Sequence, residues 1–139
     1  MKNYALDANA LIAFMEGRHG ADKVETLLEA AEAGSATLFM SVISLGEVFY
    51  ATWKSEGEQQ ARLKLQQIMA SPIRIAFADF AETMRAAELK AKYRCAYADA
   101  FAASQALSRK AMLVTSDPDF KRFGDKIKVL WIPNSKSVH

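Results

Sequence analysis

Five short apolar runs, each about one β-strand long, alternate along this chain with segments whose apolar residues recur at helical spacing, and few folds accommodate that order. The runs lie at residues 3–6, 37–40, 73–76, 112–115 and 127–131. Helical patterning covers residues 8–14, 22–33, 44–53, 58–69, 79–94 and the alanine-rich stretch that Asp99 opens and that runs to residue 107. In the segment 22–33, Val24, Leu27, Leu28 and Ala31 mark one apolar stripe, and in the segment 79–94, Phe80, Met84, Ala87 and Ala91 are expected to form another. Gly57 divides two helices as in a helical hairpin. A chain that alternates in this way closes right-handed crossovers into a parallel sheet covered on both faces. The expected fold is a three-layer α/β/α sandwich around a central parallel sheet of four to five strands, a single domain over residues 1–133 with a frayed tail at 134–139.

The chain's 139 residues suit one domain and a core that buries about two-thirds of the surface exposed by the unfolded chain. Its apolar content of 51% and charged content of 24% exclude a disordered chain. A single cysteine, Cys95, permits neither an intrachain disulfide nor a Cys-based zinc site, and is expected to pack as a small residue in a helix. The N-terminal residues reach Asp7 too early for a signal-peptide core, and no apolar run is long enough to cross a bilayer, so the cytoplasm is expected, with no membrane partner. Net charge is +2, divided as −3 over residues 1–70 and +5 over residues 71–139. The basic half carries Lys90, Lys92, Arg94, Arg109, Lys110, Lys121, Arg122, Lys126 and Lys128, which suit either a phosphate-attracting surface or a solvated face.

Four carboxylates stand where an apolar run gives way to a helical pattern: Asp7, Glu47, Asp99 and Asp117. Each has an ordinary structural explanation. Asp7 can cap the first helix, Ser44 with Glu47 matches a capping box, and Asp117 precedes Pro118, a favoured first helical residue. Their joint occurrence says more, because α/β sheets gather ligand-contacting residues at the carboxyl ends of their strands. Clustered carboxylates lose hydration and repel one another unless cations or protons neutralise them. Oxygen-only donors suit a hard cation, Mg²⁺ or Mn²⁺, and His19 and His139 are too few and too scattered for a zinc site. Such an ion binds substrate phosphates, which makes phosphoester hydrolysis the natural chemistry.

The segments Ala5-Leu6-Asp7-Ala8-Asn9, Ser44-Leu45-Gly46-Glu47-Val48, Ala98-Asp99-Ala100-Phe101 and Val114-Thr115-Ser116-Asp117-Pro118-Asp119-Phe120 resemble, in this order and across nearly the whole chain, the four motif blocks of the PIN-domain ribonucleases. In size and block order the chain is most similar to the VapC toxins of toxin–antitoxin pairs. The resemblance implies a magnesium-dependent endoribonuclease, with Mn²⁺ as a possible substitute, held inactive by a cognate VapB-type antitoxin and forming a homodimer. It places Asp7, Glu47, Asp99 and Asp117 at the catalytic and metal positions and Asn9, Ser44 and Thr115 at supporting ones, with Asp119 able to share or replace the role of Asp117. Asp7, Asp99 and Asp117 would hold the ion and Glu47 would orient the attacking water, leaving 5′-phosphate and 3′-hydroxyl ends.

Lys121 and Arg122 are candidate RNA-phosphate contacts. Phe49, Tyr50 and Trp53 are candidates for an antitoxin groove, a homodimer contact or core. Two other readings compete. A non-cleaving PIN-like RNA- or protein-binding module would not depend on the acids, whereas a metal-dependent phosphohydrolase would use Asp7 as nucleophile and want a lysine beyond the late strands. Lys110 precedes the fourth run and so falls at the wrong end of the sheet.

Overall fold

The computed structural model describes residues 2–133; the tail expected to fray, residues 134–139, lies outside the described residues. In chain order the elements are β1 (Lys2–Leu6), α1 (Ala8–Met15), α2 (Ala21–Glu32), β2 (Ala36–Ser41), α3 (Val42–Glu56), α4 (Glu58–Ala70), β3 (Arg74–Ala76), α5 (Phe80–Tyr93), α6 (Tyr97–Ser108), β4 (Met112–Thr115), a 3₁₀ segment (Pro118–Lys126) and β5 (Val129–Trp131). All strand pairs are parallel, and the sheet order is β3-β2-β1-β4-β5.

Two apolar cores flank the sheet, as the period-2 alternation of buried strands requires. Leu6, Leu38, Met40 and Val114 point to one side, where they meet Leu11, Val24, Leu45, Val48 and Ile68 from α1 to α4. Ala5 and Leu113 point to the other and meet Ala86, Leu89, Phe101, Ala103, Phe120 and Phe123 from α5, α6 and the 3₁₀ segment. Helix α6 is buried continuously from Ala100 to Ala106, and its alanines allow the helix axis to lie close to the sheet. The three-layer α/β/α sandwich is therefore the observed fold.

Three local expectations are corrected. Helix α3 begins at Val42, because β2 runs into it without a loop and Ser41 caps it, its Oγ accepting from the Ile43 N–H at 3.1 Å. Ser44 lies inside the helix, so the Ser44–Glu47 capping box does not form. Cys95 is buried in the connection between α5 and α6, after Arg94 in a left-handed conformation, rather than in a helix.

The third correction concerns which face of α5 is inside. Phe80 is 81% exposed and Met84 is also exposed, while Glu82, Ala86 and Leu89 are buried. Polar pairing decides the rotation. Gln105 Nε2 of α6 donates to Glu82 Oε1 at 2.9 Å, and Arg85 closes over the other carboxylate oxygen. A buried carboxylate held by two donors is tolerated, so the phenylalanine and methionine turn outward.

Candidate functional site

Sheet order reverses between β1 and β4, the two strands that lead to α1 and to the 3₁₀ segment on opposite faces of the sheet. At such a switch point the connecting segments diverge and leave a crevice at the carboxyl ends of the strands. Asp7 follows β1 and Asp117 follows β4 by two residues, so both enter this crevice by topology alone. A cleft of about 230 Å³ opens there, lined by Asp7, Asn9, Ser44, Glu47, Tyr50, Asp99 and Asp117 among others. The four acids singled out in the sequence are thus brought together from four separate segments.

Asp7 is the deepest. It is 5% exposed and caps α1, accepting from the Ala10 N–H at 2.8 Å, while its second oxygen accepts the hydroxyl of Thr115 from the neighbouring strand. Thr115 Oγ1 in turn accepts from the Asp117 N–H at 3.0 Å, which ties the two acids into one network. Asp117 caps the 3₁₀ segment by accepting from the Asp119 N–H at 2.9 Å. The capping explanation therefore holds for Asp7 and Asp117 alongside their convergence. Asp99 enters from the first turn of α6, and Glu47 from α3 at the open rim.

Asp119 joins the cluster. Asp99, Asp117 and Asp119 each offer a carboxylate oxygen, and these three oxygens lie within 4.8 Å of one another. Asp7 stands behind that trio with both oxygens already hydrogen-bonded. Of the supporting residues, Ser44 is buried and Asn9 exposed, both on the cleft wall, and Thr115 acts through Asp7.

Lys121 and Arg122 part company. The Arg122 guanidinium donates to the Arg94 carbonyl at 2.6 Å, and its charge reaches Asp99. Lys121 Nζ instead sits 5.9 Å from the Trp131 ring centroid at the edge strand. Neither lines the cleft. Tyr50, considered in the sequence with Phe49 and Trp53 as core or partner surface, proves to be a cleft residue, 63% exposed and one turn beyond Glu47. The i+3 spacing from Glu47 was the available signal.

Crowding of these acids raises their affinity for protons. Burial pushes the Asp7 carboxyl up to about 7, against the Thr115 and Ala10 hydrogen bonds and with help from the charges of Asp117 and Asp99. Burial also pushes Asp99 to about 6, aided by Asp117, Glu47 and Asp119 and opposed by Arg122. Glu47 is raised as well, by the part of it turned from water. A positive ligand in the cleft would relieve the desolvation and mutual repulsion that raise these carboxylates.

The donor set fits a hard divalent cation. Opposite ligands of an octahedral Mg²⁺ stand roughly 4 Å apart, twice its bond length. Three oxygens within 4.8 Å match that span with small side-chain rotations. The cleft, about 230 Å³ and open to solvent, has room for a hydrated ion and a phosphate group. Among the described residues no lysine or arginine lines it, and Arg122 is the cation whose charge reaches Asp99.

The sequence matches the PIN domain family over residues 4–126. Comparison with curated proteins gives no match. Among solved structures, the fold is similar to that of VapBC2 from Rickettsia felis bound to a promoter DNA fragment, at TM-score 0.71 and 23% identity, covering 94% of this chain and 98% of that one. VapBC-1 from nontypeable Haemophilus influenzae gives TM-score 0.70 at 21% identity over 93% and 97% of the two chains. VapC20 from Mycobacterium tuberculosis, a sarcin–ricin loop cleaving toxin, gives TM-score 0.71 at 16% identity over 87% and 95%. At these identities the likeness is one of fold.

Proposed function

Because this chain belongs to the PIN-domain family, we propose that it is a metal-dependent endoribonuclease acting as the toxin of a toxin–antitoxin pair. The observation that carries this reading is the convergence of carboxylate oxygens of Asp99, Asp117 and Asp119 within 4.8 Å of one another, with Asp99 and Asp117 lining a cleft shared with Asp7 and Glu47. Asp99, Asp117 and Asp119 are the residues that would hold Mg²⁺, or Mn²⁺ in its place, with Asp7 behind them. When bound, such a cation neutralises charge developing on the phosphate and acidifies a water.

The chain's own groups do the rest. Thr115 fixes the rotamer of Asp7, and Asp117 receives its orientation from the same hydroxyl. Glu47, raised in pKa and open to solvent at the rim, is placed to take a proton from an attacking water. Tyr50 offers an exposed ring beside the cleft on which a flanking base can stack. The phosphohydrolase reading is less well supported, since both Asp7 oxygens are committed to hydrogen bonds and the cleft offers no lysine.

The partners follow from exposed apolar surface. Exposed Trp53 on α3 and Leu63 on α4 offer an antitoxin segment apolar contacts on the α3–α4 hairpin. Phe77, Phe80 and Met84 give a second copy of the chain a separate one. No helix among the described residues is long and apolar enough to cross a membrane.

The test is incubation of total RNA with the purified chain in Mg²⁺ and in EDTA, followed by end-group analysis. The reading requires discrete products with 5′-phosphate and 3′-hydroxyl ends in Mg²⁺ alone. Intact RNA in both conditions would favour a non-cleaving binding module.

A further inference from the structure

Four lysines, Lys2, Lys110, Lys126 and Lys128, rim a second cleft of about 480 Å³ at the amino edge of the sheet, opposite the acids. Leu107, Met112 and Ile127 contribute to its apolar lining, and no carboxylate lines it. Among the described residues none of the four ammonium groups has an ion-pair or hydrogen-bond partner. Like charges gathered without counter-charges raise the local potential and attract a polyanion.

Topology connects this cleft to the acids. The 3₁₀ segment leaves the carboxyl end of β4 beside Asp117 and must deliver the chain to the amino end of β5, because the two strands are parallel. It carries Lys121, Arg122 and Lys126 along that path and is followed by Lys128, with Asp125 the one carboxylate beyond the acid site. The five residue steps from Lys2 to Asp7 span roughly 17 Å at about 3.3 Å each. A stacked nucleic-acid strand advances about 3.4 Å per nucleotide, so the two clefts are about five nucleotides apart.

We propose that the lysine cleft is a second RNA-backbone site, which takes the phosphodiesters of a single strand about five nucleotides from the bond positioned at the acids. It rests on the reading that the acids cut RNA. It also gives the unpaired lysines of the basic half a role that Lys121 and Arg122 alone do not fill.

Fluorescence anisotropy in Ca²⁺, a hard cation that carboxylates bind and that lets the acid cleft take a phosphate, tests it, with labelled oligoadenylates, whose bases stack, of about 4 and about 12 nucleotides as probes. The protein is compared with a Lys2→Gln, Lys126→Gln, Lys128→Gln triple variant whose melting temperature is checked first. Lys110 is kept because its left-handed φ of 50° would mix backbone and charge effects. The long oligomer should bind the triple variant about tenfold more weakly at low salt. The slope of log K against log salt should shrink by about 2, at about 0.7 per lysine. The short oligomer should change far less. Unchanged affinity and slope for the long oligomer would overturn the proposal, and so would an equal loss for the short one, which would make the cleft a self-contained phosphate pocket. The binding comparison needs no cleavage. Lysine-dependent binding of the long oligomer without Mg²⁺-dependent cutting would remove the nuclease reading and leave the lysine site standing.

Discussion

Asp7 carries two duties that pull in opposite directions. It caps α1 and anchors Thr115, yet as a buried carboxylate with a pKa near 7 it is costly to ionise. An acid whose pKa is raised by folding stabilises the native state fully only below its ordinary value, here 3.8, and loses that contribution as pH rises through the folded value. Metal-free protein should therefore lose stability between about pH 4 and 7, at up to about 1.4 kcal/mol per pH unit from Asp7, with Asp99 acting in the same direction up to about 6. Thermal melts in EDTA across that range check the slope, and saturating Mg²⁺ should flatten it. Asp7→Asn keeps an oxygen for the Ala10 N–H and removes the charge, so it should melt higher than the parent at neutral pH while cutting RNA far more slowly. Thr115→Val should leave the fold intact and weaken metal affinity or cleavage about 10–100-fold, the usual cost of losing a partner that orients a ligand. Mn²⁺ titration of the variant measures it.

Elements were legible where apolar periodicity and neighbouring groups agreed. Residues 112–115 coincide with β4, and the hairpin glycine, Gly57, sits at φ 95 between α3 and α4 as the sequence required. Helix α5 lies where the sequence places it, but its inner face differs, because Phe80, Met84, Ala87 and Ala91 make a plausible apolar stripe and the pairing of Glu82 with Gln105 from 23 residues away is invisible to local pattern. The outward turn of Phe80 and Met84 has a measurable consequence. Phe80→Ser with Met84→Gln should change monomer stability by no more than about 0.5 kcal/mol and shift any dimer toward monomer in size-exclusion chromatography. Leu89→Ala, on the face that is buried, should cost about 2–5 kcal/mol in chemical denaturation. The start of α3 was displaced for a different reason: a strand that passes straight into a helix offers no loop residues to mark the boundary.

At the scale of the molecule, an all-parallel sheet with one reversal of strand order creates one crevice, and the site follows from it. Asp7 and Asp117 were readable because they terminate strands, and Asp99 and Glu47 because the ordered blocks resemble a family pattern. Asp119 stayed ambiguous, since which of two carboxylates two residues apart turns inward depends on the 3₁₀ geometry after Pro118. The structure brings both to Asp99. The lysine cleft was legible only as charge asymmetry, because its four lysines come from three separate parts of the chain and meet through topology.

The central claim is that these converging carboxylates hold a divalent cation that cuts RNA. Cleavage of one labelled RNA by the parent chain and by Asp99→Asn, each in Mg²⁺ and in EDTA, tests it most directly. The expected result is cutting by the parent in Mg²⁺ alone, with the variant slower by on the order of 10²-fold or more at an unchanged fold. Equal cutting by parent and variant, or cutting that persists in EDTA, would contradict the account.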